Sequence, residues 1–295
     1  MLEQPDLSAA PVTLGGGSCP VCGDVAQPSI DVGEFSLFSC RRCNSWCSDA
    51  LHRGAASSFE HTRYHENHDA DDDKRFALLR KLEQGGRPLR AALDIGCGTG
   101  AYLAFLGRER PDVRRVGVEL DLGRAEQARA ANPGARILTG DALESLATID
   151  ERFDLITLWD VYEHVPEPGP LLAVLAKKLA PGGSIYIQTI HEQSAVPFLG
   201  RLSYHLTGGW LRGPVRRTHD PDHLVFFSRK GLDMLSEKSG LSIREQWFDR
   251  LAWARMDGNF AVRAATALLL TAENAVGNGL FVNLILERRD DAPAA

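Results

Sequence analysis

From residue 91 onward, short apolar runs alternate with longer segments in which apolar residues recur every three or four positions. The apolar runs cover residues 91–95, 114–120, 135–138, 153–159 and 184–190. The segments between them include 123–131 and 170–179, which have helical periodicity. Two further runs, 242–249 and 279–288, complete seven predicted strands. The pattern predicts an α/β protein with a Rossmann-like, seven-stranded and mostly parallel sheet.

The residues before this region contain paired cysteines instead of alternating strands and helices. Two C-x-x-C pairs lie within residues 19–50, separated by 17 residues. Four thiolates are a common ligand set for structural zinc, and each pair can wrap the metal from one tight turn. The predicted zinc ligands are Cys19, Cys22, Cys40 and Cys43. Cys47 is an extra thiol beside the second pair.

These patterns divide the chain into four parts. Residues 1–18 are rich in Pro, Gly and Ala and are predicted to be a disordered tail. Residues 19–50 form the predicted zinc ribbon, and residues 51–90 a cap followed by a linker helix. Residues 91–290 form the main α/β domain. It carries an insertion at 194–223, after the fifth strand, where a roof over a substrate pocket is expected.

A glycine-rich loop follows the first strand of the main domain. It runs from Asp94 through Gly96, Gly98 and Gly100 into a helix that begins near residue 102. Glycines allow a sharp turn and let a ligand approach the main chain. The spacing is G-x-G-x-G, so the dinucleotide fingerprint G-x-G-x-x-G is not matched.

Two acidic positions follow at the ends of the next two strands. Glu119 ends the second strand, where a carboxylate can accept the two hydroxyls of a ribose. Asp141 and Ala142 follow the third strand. Together with the glycine loop, these elements resemble motifs I to III of class I methyltransferases that depend on S-adenosylmethionine. The resemblance implies that Asp94 and the glycines line the methionine and ribose, and that Asp141 and the Ala142 backbone hold the adenine.

The fourth strand ends in a second signature, FDLITLWDVYEHVPEP, at residues 153–168. Trp159 lies at the strand end and is expected to line the cofactor. The segment from Asp160 to His164 resembles the EHV signature of small-molecule methyltransferases, including the ubiquinone-biosynthesis O-methyltransferase type. By that resemblance, Asp160, Glu163 and His164 are also a candidate site for a divalent cation.

Methyl transfer from a sulfonium requires alignment of the acceptor, the methyl group and the sulfur. A hydroxyl acceptor also benefits from a general base. His164 is the first candidate for this base, His223 the second and His191 the third. A packing role is the alternative for each, and for His191 it is favoured.

Other residues are candidates for the walls of the acceptor pocket. Tyr64 and His65 lie in the polar cap, while Trp210 and Arg216 lie in the insertion. The arginines of the insertion suggest an acidic or carrier-bound acceptor, although a solvated basic face explains them equally well.

Composition restricts the partners. The formal net charge is −6 and the sequence pI is near 5.9, which argues against nucleic acid as the main substrate. No signal peptide is recognisable and no apolar run approaches about 18 residues, so a cytoplasmic location without a transmembrane segment is expected. An additional helix over 258–277 has an apolar face, and a homodimer is one use for it.

The function predicted from these features is methyl transfer from S-adenosylmethionine to a small-molecule acceptor, with O-methylation preferred. Methylation of carbon, on a sugar or an activated carbon, is the next alternative. An RNA methyltransferase that reads RNA through the ribbon is another, and a regulator that binds the cofactor without catalysis is the last. The sequence does not identify the acceptor.

Overall fold

Two sheets organise the molecule. The computed structural model describes residues 17–50, 72–84, 86, 88–249 and 260–291. Its strands are β1 (Ala26–Asp31), β2 (Ser36–Cys40), β3 (Trp46–Ser48), β4 (Ala91–Ile95), β5 (Arg114–Glu119), β6 (Ala135–Thr139), β7 (Phe153–Trp159), β8 (Leu179–Ile190), β9 (Val225–Phe226), β10 (Leu241–Asp249) and β11 (Phe281–Arg288). The predicted disordered tail and the polar cap lie outside the described residues, except for the last residues of each.

The large sheet has the strand order β10-β11-β8-β7-β4-β5-β6. β11 runs antiparallel to both neighbours, and the pairs from β8 to β6 are parallel. The predicted seven-stranded, mostly parallel sheet is therefore confirmed. β8 begins at Leu179 instead of residue 184, because its pairing with β7 jumps from Phe153–Leu179 to Leu155–Ser184. Residues 180–183 form the resulting bulge.

Helices cover both faces of this sheet. They are α1 (Asp72–Gln84), α2 (Ala101–Glu109), α3 (Leu122–Ala131), α4 (Ala142–Ala147), α5 (Pro168–Lys178), α6 (Ala195–Leu206), α7 (Gly213–Thr218), α8 (Arg229–Lys238) and α9 (Phe260–Ala275). Alternate residues of a strand point to opposite faces, and β4 shows this clearly. Ala92 packs in a cluster with α1 and α2, whereas Leu93 packs in the cluster that contains α5 and α8.

The small sheet is antiparallel and has the order β1-β2-β3-β9. Its first three strands come from the predicted ribbon at residues 19–50, but β9 follows the insertion almost 180 residues later. β9 is too short for its apolar pattern to show in the sequence. The insertion itself forms α6 and α7, and the extra helix predicted over 258–277 is α9. Within the described residues, no helix is long and apolar enough to cross a membrane.

Candidate functional site

The glycine loop connects β4 to α2 in a left-handed backbone conformation. The φ angles of Gly96, Gly98 and Gly100 are +66°, +56° and +82°. A Cβ at Gly96 would lie 2.5 Å from a methyl group of Val161, whereas a Cβ at Gly98 would meet nothing within 4 Å. The loop therefore packs against the segment after β7 and leaves an open, side-chain-free surface at Gly98, as a nucleoside ligand requires.

Glu119 closes the loop from the end of β5. One oxygen of its buried carboxylate accepts a hydrogen bond from Gly98 N at 2.8 Å, and the other from Asp121 N at 3.0 Å. A carboxylate offers about four lone-pair sites, so each oxygen can accept one more hydrogen bond. The chemistry and the fixed orientation of Glu119 fit the two hydroxyls of a ribose.

Asp94 lies at the bottom of the same loop and is buried. Burial raises its pKa to about 7, although a hydrogen bond from Thr157 Oγ1 at 2.7 Å and the charge of Arg75 act in the opposite direction. Arg75 is a buried cation on α1 that also forms an ion pair with Asp72 at 2.8 Å. Arg75 is not among the residues that the sequence motifs indicate. Its position on the apolar face of α1, in line with Leu78 and Leu79, was the available signal.

Replacing Asp94 by asparagine should stabilise the cofactor-free protein at pH 8. The pKa is about 7 in the folded chain and 3.8 in the reference state, so wild-type stability falls as pH rises between these values. The asparagine variant lacks this loss, and its melting temperature at pH 8 should exceed the wild-type value by several degrees. Thermal melts from pH 4 to 8 test this. Parallel curves for the two proteins would contradict the buried titration.

The remaining predicted cofactor residues lie along the same edge of the sheet. Asp141 caps α4, and its Oδ1 accepts hydrogen bonds from Leu143 N at 2.8 Å and Glu144 N at 3.2 Å. This fixes the Asp141–Ala142 turn beside β6. Trp159 packs between the rings of Tyr102 and Tyr186, with centroid distances of 5.2 and 4.4 Å. Their roles toward a cofactor stay predictions.

Glu163, His164 and His223 form a cluster after β7, here called the acceptor cluster. Their candidate donor atoms lie within 4.8 Å of one another. His164 Nδ1 is 2.8 Å from the carbonyl oxygen of Asp222, and the two histidine rings are 4.7 Å apart between centroids. The structure thus brings together the first and second candidates for the general base.

Glu163 is the buried member of this cluster. Its Oε2 accepts a hydrogen bond from Thr189 Oγ1 at 2.8 Å, while its buried Oε1 has no partner among the described residues. Burial, followed by the charge of Asp160, raises the Glu163 pKa to about 8. Asp160 instead has a positive φ of +52° and accepts a hydrogen bond from Gln188 Nε2 at 2.8 Å.

His191 is placed apart from these two histidines. It is buried at the end of β8, with Nδ1 3.2 Å from the carbonyl oxygen of Gly279 and its ring centroid 4.9 Å from that of Phe248. Burial lowers its pKa. These contacts favour the packing role for His191.

The four predicted metal ligands converge at one point in the ribbon. The Sγ atoms of Cys19 and Cys43 are 3.6 Å apart, those of Cys22 and Cys40 are 3.4 Å apart, and all four lie within 4.8 Å of one another. A tetrahedral zinc with Zn–S bonds of about 2.3 Å needs sulfurs about 3.8 Å apart. Cys47 is buried nearby but is not a member of this group.

Two of the four predicted wall residues of the acceptor pocket belong to the described part of the chain, and they lie apart from the acceptor cluster's contacts. Tyr64 and His65 lie outside the described residues. Trp210 lies between α6 and α7 with 84% of its surface exposed, and Arg216 donates hydrogen bonds to both carboxylate oxygens of Glu34 at 2.8 Å. Their contact with an acceptor stays a prediction.

The fold and the site define a methyltransferase, and comparison with known proteins agrees. A family model described as a methyltransferase domain matches residues 59–246, so the chain belongs to this family. It is a class I methyltransferase that depends on S-adenosylmethionine, as the glycine loop predicted.

The chain is also similar to individual known proteins, among them two relatives and one solved structure. The ubiquinone biosynthesis O-methyltransferase of Cereibacter sphaeroides is 30% identical over 185 residues, covering 59% of this chain and 71% of the relative. The protein of the same name from Rhizobium etli is 27% identical over 230 residues, covering 75% and 86%. The plantazolicin methyltransferase BpumL, solved with a desmethylPZN analog and SAH, has a TM-score of 0.50 and 14% identity, covering 75% and 89%. That similarity concerns the fold.

Proposed function

We propose that the protein transfers a methyl group from S-adenosylmethionine to a hydroxyl group of a small molecule. The observation that carries the proposal is the position of the acceptor cluster. His164 follows Val161 by three residues, and Val161 contacts the glycine loop at Gly96. The segment that packs on the cofactor loop therefore leads directly into the candidate proton acceptor His164. The names of the relatives, which are O-methyltransferases, support the same acceptor atom.

The proposed cofactor site uses residues from four elements. Glu119 would accept the ribose hydroxyls, and Asp94 with the glycine backbone would line the methionine and ribose. Arg75 is a buried cation whose charge acts on Asp94, and it suits the methionine carboxylate. The Asp141–Ala142 turn would hold the adenine, and Trp159 would line its pocket. When bound, the cofactor supplies a methyl group on a positively charged sulfur.

The chain's own part in the reaction is alignment and proton transfer. With Nδ1–H donating to the Asp222 carbonyl, the His164 ring keeps its Nε2 lone pair available. The acceptor oxygen forms a bond to the methyl carbon while the carbon–sulfur bond breaks, and His164 Nε2 takes the hydroxyl proton. His223 packs edge-on against His164 and restricts its ring. Glu163 is the buried member of the cluster, on the protein side of the two histidines.

His164→Gln should lower the rate of methyl transfer by about 100-fold or more, because a general base contributes 10²–10⁴-fold. Its affinity for S-adenosylmethionine should stay close to wild type. Labelled cofactor is incubated with pooled metabolites and with total RNA, and the products are hydrolysed to locate the methyl group. His205→Gln, on an exposed histidine of α6, is the matched control. Label found only in RNA, or on carbon, would overturn small-molecule O-methylation.

The acceptor cluster is also a candidate site for a divalent cation. Glu163 Oε1, which has no partner among the described residues, and the two histidines offer three donor atoms, whereas Asp160 is engaged by Gln188. His223 therefore replaces Asp160 in the proposed ligand set. Cation binding is the alternative to the general-base role, because His164 Nε2 would bind the cation instead of the proton. Activity that is lost on chelation and restored by Mg²⁺ or Mn²⁺ in wild type, but not in Glu163→Gln, supports the cation. Full activity after chelation contradicts it.

We further propose that the four-cysteine group holds one structural zinc ion. Four sulfurs at tetrahedral spacing complete the coordination and leave no open position for catalysis. A cytoplasmic location, proposed for the chain, keeps such thiols reduced and available as ligands.

Two properties of the surface concern possible partners. Arg212 and Arg217 are exposed in the insertion and support an acidic or carrier-bound acceptor.

Exposed large apolar side chains are concentrated on α6, α9 and the turn after α6, including Leu206, Trp210 and Leu268. Such a surface favours an interface, and we propose that a second copy of the chain covers it. A monomeric mass by light scattering at micromolar concentration would contradict the dimer.

A further inference from the structure

β9 makes the ribbon continuous with the acceptor side of the enzyme. Cys47 of β3 pairs with Val225 of β9, and the N–H of Ser48 donates to the carbonyl oxygen of Leu224 at 2.9 Å. Hydrogen bonds between strands fix both position and register. The residues that follow His223 are therefore held in the ribbon sheet, in which β2 ends at the predicted ligand Cys40.

The same short segment also holds the acceptor cluster. Leu224 N donates to the carbonyl oxygen of Glu163 at 2.9 Å, and the carbonyl of Asp222 contacts His164 Nδ1 at 2.8 Å. His223 lies between these two contacts. Leu224 thus bonds to the ribbon through its carbonyl oxygen and to Glu163 through its N–H. Two hydrogen bonds therefore connect Ser48 of the ribbon to Glu163 of the acceptor cluster.

Both metal-binding turns are also bonded to the chain that follows β9. Ser228 Oγ donates to the carbonyl oxygen of Cys43, and Ser228 N donates to Ser45 Oγ at 3.1 Å. Lys238 Nζ donates to the carbonyl oxygen of Cys22 at 3.1 Å. Each cysteine pair therefore contributes a backbone carbonyl to the start or the end of α8. The Cys40–Cys43 turn is thus bonded two residues after β9, and the Cys19–Cys22 turn at the last residue of α8.

The insertion uses the ribbon as its support. Val215 of α7 packs in one apolar cluster with Phe35 and Leu37 of the ribbon. The Arg201 guanidinium of α6 lies over the Trp46 ring, 4.9 Å from its centroid. Arg201 is also paired with the buried carboxylate of Glu192, at the end of β8. The helices above the acceptor side thus rest on the ribbon and on the large sheet together.

The ribbon's charge does not suit a nucleic-acid surface. Residues 19–50 contain two arginines and four acidic residues. A protein that grips phosphates needs an excess of cations. One of its large aromatic side chains, Trp46, is covered by Arg201 and is not available for stacking on a base. The ribbon surface is instead used by contacts within the chain.

We propose that the ribbon is a positioning element of the acceptor site. Its metal fixes β3 and the cysteine turns, β3 holds β9, and β9 holds His223 against Glu163 and His164. The inference rests on the proposed zinc binding. Loss of the metal then disturbs the acceptor cluster. The glycine loop between β4 and α2 has no strand pairing with the ribbon, so the affinity for S-adenosylmethionine is kept.

The test uses the full chain with ¹³C-labelled histidine. Ring resonances of His164 and His223 are assigned with His164→Gln and His223→Gln, and zinc is counted by elemental analysis. Ser45→Ala removes the acceptor of the Ser228 N–H and a hydrogen bond to the Cys43 sulfur, but keeps all four cysteines. It should keep about one zinc per chain and shift both histidine resonances. Its affinity for S-adenosylmethionine should change by less than about twofold.

Ser29→Ala is the matched control. Ser29 lies on β1, at the edge of the ribbon sheet opposite β9, and its Oγ bonds to Gln27 and Ser39 of that sheet. It should leave both resonances unchanged. Histidine shifts in neither variant, or equal shifts in both, would overturn the positioning role. A zinc content near zero in wild type would overturn zinc binding itself, and the coupling with it. None of these outcomes depends on knowing the acceptor.

Discussion

Replacing Glu119 by alanine is expected to weaken the binding of S-adenosylmethionine by about 100-fold or more. Hydrogen bonds to a charged group contribute about 1.5–3 kcal/mol each, and every 1.4 kcal/mol is a factor of ten in affinity. The variant loses the proposed acceptor for two ribose hydroxyls. It also releases the N–H of Gly98, which Glu119 holds at 2.8 Å, so the glycine loop becomes less ordered.

Calorimetry with wild type, Glu119→Ala and Glu126→Ala measures this effect. Glu126 is an exposed acidic residue on α3, and its removal matches the charge change without touching the loop. Glu119→Gln keeps the shape of the side chain and should give an intermediate affinity. A Glu119→Ala affinity within about twofold of wild type would show that the nucleoside binds elsewhere.

The second large effect concerns the metal. Serine in place of Cys22 or Cys40 should remove zinc and lower the melting temperature by about 10 °C or more. Structural zinc sites of this kind bind with about 10–16 kcal/mol, and that free energy stabilises the fold. The effect should reach the main domain because the cysteines pack in the same apolar cluster as α5 and α8.

Cys47→Ser tests whether Cys47 binds the zinc or only lies near the four zinc ligands. Cys47 is as buried as the four ligands and pairs with Phe38 and Val225, but its sulfur is not in the four-cysteine group. The variant should keep about one zinc per chain and lose only a little stability. Zinc loss in Cys47→Ser, or full zinc retention in Cys22→Ser, would contradict the ligand set.

The sequence predicted the large sheet and the position of its ligand edge, because both depend on local patterns. Apolar runs set the strands, and glycines with positive φ set the loop at Gly96 to Gly100. The two histidines His164 and His223, nominated separately, are in contact in the folded chain. The glycine loop, Glu119 and His164 lie at or after the ends of neighbouring parallel strands along one edge, so a linear pattern could place them together. His223 instead reaches His164 from the segment before β9.

The missed features depend on contacts between distant parts of the chain. β9 has two residues, and only its pairing with β3 identifies it as a strand. Arg75 belongs to the predicted linker helix, yet the fold buries its side chain, and its charge acts on Asp94. The buried pair of Glu192 and His219, with side-chain atoms 3.2 Å apart, likewise joins residues 27 positions apart. The local periodicity of the sequence does not indicate such pairs, because the two residues meet only in the folded chain.

The strand that β9 contributes has a consequence for protein engineering. A ribbon joined only by a linker could be deleted, or exchanged with that of another enzyme, as a separate cassette. Here β9, the fourth strand of the ribbon sheet, comes almost 180 residues after β3, whereas the apolar floor under α7 comes from the ribbon itself. A chimera that exchanges residues 19–50 alone would leave an unpaired edge at Val225 and an apolar surface at Val215. A working graft has to move the ribbon, the insertion and β9 as one unit.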